Sequence, residues 1–242
     1  MSSGAAESYR GAVPIWAGKL RLGDRWATWR GAVGDGTTHR HFAAQAVISD
    51  QPVRTLDAQS HAIEARCVLI DPLTPHRIEP GAHAFIVYVE PSGAMTAEAE
   101  ELLRPLPEGA PPQILTQEAN SSFWAAWLSS PSRPSPAIDD RLLAALGRIE
   151  EVLPFGPVPL QLAAAQAGLS PDRFRHVFGE QVGLPFKRYV LWRRLRLAAS
   201  ELMAGSDVTT AAHGAGFADA AHFARTLKSM FGVTASQVLL GR

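Results

Sequence analysis

The sequence is poor in cysteine and in net charge, and it has no long apolar run. Cys67 is the one cysteine among 242 residues. This excludes an intrachain disulfide framework and any CxxC metal pair. Set inside the apolar run Cys67–Ile70, the thiol reads as buried packing and not as a redox sensor. No apolar run approaches the ~18 residues that a membrane-spanning helix needs. Met1–Arg10 has no basic stretch followed by an apolar core, so it does not read as a secretory signal. A soluble, cytoplasmic protein without membrane contact is expected. Lys and Arg number 23, and so do Asp and Glu, which makes the formal net charge zero. Zero excludes a uniformly basic coat for polyanions, but it leaves room for a local basic patch. A hydrophobic share of 46% with 19% charged residues excludes wholesale disorder. Nucleophile elbows, phosphate loops and Ser–His–Asp spacings are missing too, and no cofactor is expected.

The charge is unevenly spread. Residues 1–137 hold 11 Lys/Arg against 14 Asp/Glu, a net −3, and residues 138–242 hold 12 against 9, a net +3. The divide falls on Pro131-Ser-Arg-Pro-Ser-Pro136, a proline-serine run that reads as a semi-rigid linker. Thirteen of the 18 prolines lie at or before Pro136, which marks the two sides as different in kind. The expected domains are therefore 1–130, a linker over 131–137, and 138–242.

The front part reads as strands, with Cys67–Ile70 and Phe85–Glu90 as β-branched and aromatic runs between Gly/Pro/Asp turns. A small antiparallel sandwich or barrel is expected. Two trailing helices are expected over Thr96–Leu103 and Pro112–Leu128.

The back part reads as helix throughout, at about 138–152, 159–168, 171–181, 185–204, 208–215, 219–230 and 234–240. Two helix-turn-helix units stand out. In the first, Ala163–Ala165 and Ala167 permit close helix approach, and Gly168 permits the left-handed residue of a tight corner. Ser170-Pro171 supplies an N-cap and first helical residue. Phe174, Val177 and Phe178 must then face inward, leaving Asp172, Arg175, His176 and Gly179 as an outward stripe. In the second unit Phe223 and Leu227 face inward, with Ala221, Arg225 and Lys228 opposite. The intervening helix carries Lys187, Arg188, Arg193, Arg194 and Arg196, and residues 170–196 total seven basic against two acidic. Local charge of this kind governs attraction to phosphates.

This part resembles the DNA-binding domain of the AraC/XylS family of bacterial transcription regulators. The resemblance covers residues 140–242. It rests on Ala163, Ala167, Ser170, Phe174, Phe178 and Gly183, on Arg194-Leu195 with Ala198 and Leu202, and on Ala212, Gly216-Phe217, Asp219, His222-Phe223, Arg225, Lys228 and Phe231-Gly232. It implies an all-α domain of two helix-turn-helix units joined by a long helix. It also implies a DNA-contacting set of Asp172, Arg173, Arg175, His176, Arg194, Ala220, Ala221, Arg225 and Lys228. The sequence departs from the family pattern where His176 replaces a usual Arg, Gly179 a frequent Lys, Leu227 a usual Phe and Ala235 a usual Pro. The first two weaken cationic contacts on the first recognition helix.

In the front part, Gly34–Gln45 resembles the first cupin motif and Pro75-His76 a fragment of the second. His39, His41 and Gln45 share strand parity and would face one side with His76. Cupin metal sites place Glu where Gln45 stands, and an amide is a poorer ligand than a carboxylate. Three roles stay open for this set: an effector pocket or its rim, hydrogen-bonded structural imidazoles, or a metal site. Trp16, Trp26 and Trp29 could line a pocket or form plain core.

The resemblance implies a non-enzymatic regulator, an activator by family habit. Its partners would be double-stranded DNA, a small-molecule effector, RNA polymerase and a second copy of the chain, joined through the helices at 96–128 with Phe123, Trp124 and Trp127. Two other readings are a metal-dependent cupin enzyme with an appended helical domain and a regulator without effector. The segment 138–242 is expected to bind duplex DNA with log K falling linearly in log salt. Titration at several ionic strengths checks this, and salt-independent binding would contradict it.

Overall fold

The computed structural model describes residues 16–23, 25–91, 97–104, 111–117, 122–129 and 138–240. The expected linker 131–137 and the segment Met1–Arg10 lie outside the described residues. The chain runs through β1 (Ala17–Leu22), β2 (Trp26–Ala32), β3 (Ala44–Leu56), β4 (Ala62–Ile70), β5 (Arg77–Ile78) and β6 (His83–Val89). Then come α1 (Ala97–Leu103), β7 (Gln113–Leu115) and α2 (Phe123–Ser129). The rest is helical: α3 (Asp140–Val152), a 3-10 turn (Leu153–Phe155), α4 (Leu160–Gln166), α5 (Pro171–Val182), α6 (Phe186–Met203), α7 (Val208–Gly214), α8 (Ala220–Phe231) and α9 (Ala235–Leu240). A sheet-rich N-terminal region thus precedes a helical C-terminal region, as the composition implied.

The strands form one sheet in the order β1-β2-β6-β3-β4-β7, with β5 paired to β3. Alternation along the central strands sorts side chains onto two faces. Ala44, Ala46, Cys67, Leu69, Val87 and Val89 pack with Ala99 and Leu103 of α1 and Trp124 of α2. Val47, Val68, Ile70, Ala84 and Ile86 line the other face with Trp29, Val33 and Leu115. Burial holds the Cys67 thiol protonated, its pKa pushed up to about 11. This agrees with a packing role.

One expected element is different. Gln113–Leu115 is not the start of a helix but a strand, paired parallel to Val68–Ile70. Pro111 and Pro112 enter it, and the residue before a proline is driven to extended backbone. Among the described residues of this segment the helix is Phe123–Ser129, where Asp71 Oδ1 accepts from Trp124 N at 3.0 Å and Ile70 O accepts from Trp124 Nε1 at 2.9 Å.

In the helical region each boundary falls within two residues of its expected place. Caps explain the agreement. Asp139, Ser170, Asp207 and Asp219 each accept a main-chain N–H of the following turn. Gly168 takes φ +64°, the left-handed turn residue between α4 and α5.

The core of this region extends beyond the helices. Phe42 and Ala43, which precede β3, are 3% and 1% exposed and pack within it. The Phe42 ring meets Trp192 of α6 edge-on at 6.1 Å. Phe42→Ala should therefore cost about 3–5 kcal/mol, the range for deleting a buried aromatic. Denaturant unfolding followed by tryptophan fluorescence checks this. One shifted transition is expected, and an unchanged midpoint would contradict the shared core.

Candidate nucleic-acid interface and the cavity behind it

The two helix pairs present their second helices to solvent. On α5, Phe174 and Phe178 are fully buried, which turns Asp172, Arg173, Arg175 and His176 outward. The stripe is internally paired. Arg175 Nη1 donates to Asp172 Oδ1 at 2.7 Å, and His176 Nε2 lies 3.3 Å from Glu180 Oε1. On α8, burial of Phe223 and Leu227 leaves Ala221, Arg225 and Lys228 exposed and Ala220 half-buried. At its start, Asp219 Oδ1 accepts from His222 N at 2.6 Å. That bond, with the nearby Arg225 charge, holds the Asp219 carboxyl below its ordinary pKa. Between the pairs runs α6, which packs against α5, α7 and α8.

The basic residues of α6 divide into two groups. Lys187 and Arg188 are exposed. Arg193, Arg194 and Arg196 turn inward. Arg194 Nη2 donates to Gly156 O at 2.5 Å, so it fastens α6 to the loop after the 3-10 turn. This is a structural post for a residue expected at DNA. Arg193 and Arg196 meet Glu90, the residue that follows β6. Glu90 Oε1 accepts from Trp192 Nε1 at 2.8 Å, and its side chain is 2% exposed. Arg193 Nη1 and Arg196 Nε each stand 3.2 Å from the same oxygen. Arg193 also pairs through Nε with Glu150 at 2.7 Å. Burial opposes the Arg193 charge, but the surrounding carboxylates outweigh it and hold the guanidinium above its ordinary pKa. Arg196 Nη2 reaches Gly23 O at 2.5 Å, which ties the β1–β2 turn to α6.

Beside this cluster lies an apolar cavity of about 120 Å³. Trp16, Trp29 and Tyr88 line it from the sheet, and Trp192, Phe223 and Phe231 from the helices. Its charged lining residues are Arg25, Glu90 and Arg196. Trp16 and Trp29 thus reach a pocket, whereas Trp26 packs on the other sheet face, its Nε1 donating to Glu98 at 2.9 Å. The cavity was not legible in the sequence, because its two walls come from distant segments.

The four residues expected in an effector pocket come together, one layer away. His39 and His76 exchange main-chain hydrogen bonds, both at 2.9 Å. The His39 ring lies 4.5 Å from that of His76, and the His41 ring 5.2 Å from it. Gln45 Oε1 lies 2.9 Å from His41 Nε2. Desolvation lowers the pKa of all three imidazoles, that of His41 to about 3 with the His39 charge adding to the effect. Burial thus biases all three toward the neutral form. None lines the cavity, but His41 touches two residues that do, with ring centroids 5.3 Å from Tyr88 and 5.4 Å from Phe231.

The aromatics expected to join two copies are largely used within the chain. Trp124 is fully buried, and Phe123 and Trp127 pack against the same cluster. Among the described residues no helix is long and apolar enough to cross a membrane.

The profile of a family described as "Helix-turn-helix domain" matches residues 163–240. Over 108 residues the chain is 32% identical to the transcriptional activator RhrA of Rhizobium meliloti (strain 1021). The match takes in 43% of this chain and 34% of RhrA, so the chain spans about a third of the length of that curated relative. Among solved structures, an apo variant of ToxT from Vibrio cholerae strain SCE256 superposes with TM-score 0.57 at 11% identity, covering 89% of this chain and 97% of that one. ToxT with a bound unsaturated fatty acid, from the same strain, superposes with TM-score 0.54 at 12% identity, covering 88% and 94%. These likenesses extend over both regions of the fold.

Removing the central carboxylate leaves two partly buried guanidinium groups short of one partner. Glu90→Ala should destabilise the protein by about 3–5 kcal/mol, the cost of breaking a buried ion pair from one side. Chemical denaturation checks it, and a loss below 1 kcal/mol would contradict the geometry.

Proposed function

We propose that this chain, whose C-terminal part is an AraC-type helix-turn-helix domain, is a sequence-specific DNA-binding regulator of transcription. One observation carries the reading. Two helix pairs of like construction, each with an exposed second helix, are joined by the 18-residue α6. That rod is ~27 Å long, close to the ~34 Å of one DNA turn. In this reading each pair is a helix-turn-helix unit, and α5 and α8 enter successive major grooves. On α5, Arg175 and Arg173 offer the cationic contacts, and Asp172 and His176 complete the stripe. On α8, Ala220 and Ala221 suit thymine methyl groups, Arg225 suits a guanine edge, and Lys228 suits a phosphate. Arg194 supports the domain from within. The domains we assign are residues 1–130 and 138–242.

The sheet serves as a cupin-like sensor whose effector enters the cavity between sheet and helices. The lining favours a small, mainly apolar molecule, its body against Trp16, Trp29 and Phe231. An effector here touches both regions, so it can bias how α8 is presented to DNA, provided it binds two arrangements with different affinity. Activation is the expected sign, by likeness to RhrA. A second copy of the chain would meet through the exposed faces of α1 and α2, and RNA polymerase would be the downstream partner. The chemistry needs no catalysis.

Arg225→Ala should weaken binding to the natural operator by about 1–3 kcal/mol and relax preference at one base position. Binding selection on randomised sites reads this. An equal loss on specific and non-specific DNA would reduce Arg225 to a phosphate contact.

A further inference from the structure

The histidine cluster has features that a merely structural set does not need. Each Nδ1 lies against a main-chain carbonyl: His39 on Thr37 O at 2.8 Å, His41 on Ala43 O at 2.9 Å, and His76 on Thr74 O at 2.8 Å. A carbonyl can only accept, so each Nδ1 bears the proton and each Nε2 keeps its lone pair. The same outer bond orients the imidazole ligands of metal sites. His76 Nε2 is buried and has no hydrogen-bond partner among the described residues. His41 Nε2, also an acceptor in this tautomer, is satisfied only when the Gln45 amide turns its NH2 group toward it.

One candidate ligand atom from each histidine lies within 4.8 Å of the other two. Nitrogens around a tetrahedral ion at ~2.0–2.1 Å stand ~3.4 Å apart. Small side-chain rotations close that difference. His39 is half-buried, which leaves the cluster a side open to entry.

We propose that His39, His41 and His76 form a three-imidazole site for a divalent first-row transition ion. Imidazole suits zinc, cobalt, nickel and copper, whereas the absence of a carboxylate or thiolate from the set disfavours magnesium, calcium and thiolate-type sites. Gln45 stays beside the ion as an adjustable neighbour of His41, and the remaining positions fall to water or another small ligand.

The site bears directly on α8. The segment before His41 is docked on the helix end. Gly232 O accepts from Thr37 N at 3.2 Å, and Asp35 O accepts from Gln237 Nε2 at 3.1 Å. Gly232 itself leaves no room for a side chain, since a Cβ would stand 2.5 Å from Thr37 O and 2.7 Å from His39 Nδ1. An ion that draws His39 toward His76 therefore acts on the segment that caps α8. Metal binding is measurable without DNA, so its failure and the failure of the regulatory reading are separate results.

The test is titration of the chelator-treated full-length chain with Co2+ and Zn2+ by calorimetry, with the visible Co2+ spectrum recorded in parallel. The expected result is one ion per chain at micromolar affinity or tighter, weakened at least tenfold in His39→Ala. X-ray absorption of the zinc-loaded parent, which needs no variant, should give a first shell containing three imidazole nitrogens. Absence of stoichiometric binding, undiminished binding by a folded His39→Ala chain, or a shell of sulfur or of oxygen alone would overturn the proposal.

Discussion

Glu90 carries its carboxylate into a contact that water barely reaches, and the arrangement of the two regions depends on it. Its side chain is 2% exposed and receives the Trp192 indole, Arg193 and Arg196 from one face of α6. A buried ion pair adds little net stability over an apolar replacement, but breaking it from one side is costly. The cluster therefore favours one setting of α6 against the end of β6. Arg196 extends the grip to the β1–β2 turn, and Phe42 inserts into the helical core nearby. The apolar cavity is a consequence of this setting, since Tyr88 and Trp192 flank Glu90 closely in sequence or space and both form its walls.

The same cluster redistributes the charge. The sequence places a local net +5 over residues 170–196, which suggests a strongly basic face. In the fold, three of the five basic residues of α6 turn inward to Glu90, Glu150, Gly23 and Gly156. On α5, Asp172 engages Arg175, and Glu180 lies beside His176. Free outward charge is thus sparser than composition implies. Under the proposed function, selective contacts from α5 and α8 must supply much of the affinity for DNA, and rearrangement of the Asp172–Arg175 pair is part of docking.

The helical region was the more legible part because its signals are local. Ser170-Pro171, Asp207, Asp219, Gly168 and Gly232 each act within one turn, so their effect can be read from neighbours. The histidine set was legible for a similar reason, through strand parity and one recognisable spacing. What escaped the sequence was long-range. Glu90 and Arg193 are about a hundred positions apart, and nothing at either position announces the other. Gln113–Leu115 pairs with β4 because tertiary contact overrides a weak helical pattern. Trp124 looked available for a partner until α2 closed on the sheet through Asp71.

Under the proposed function, two outward helices read DNA together from the ends of one rod. Hydroxyl-radical footprinting of the full-length chain on its operator tests that most directly. Two protected patches on one face of the duplex, about one helical turn apart, are the predicted result. A single patch, or uniform protection without phase, would contradict it.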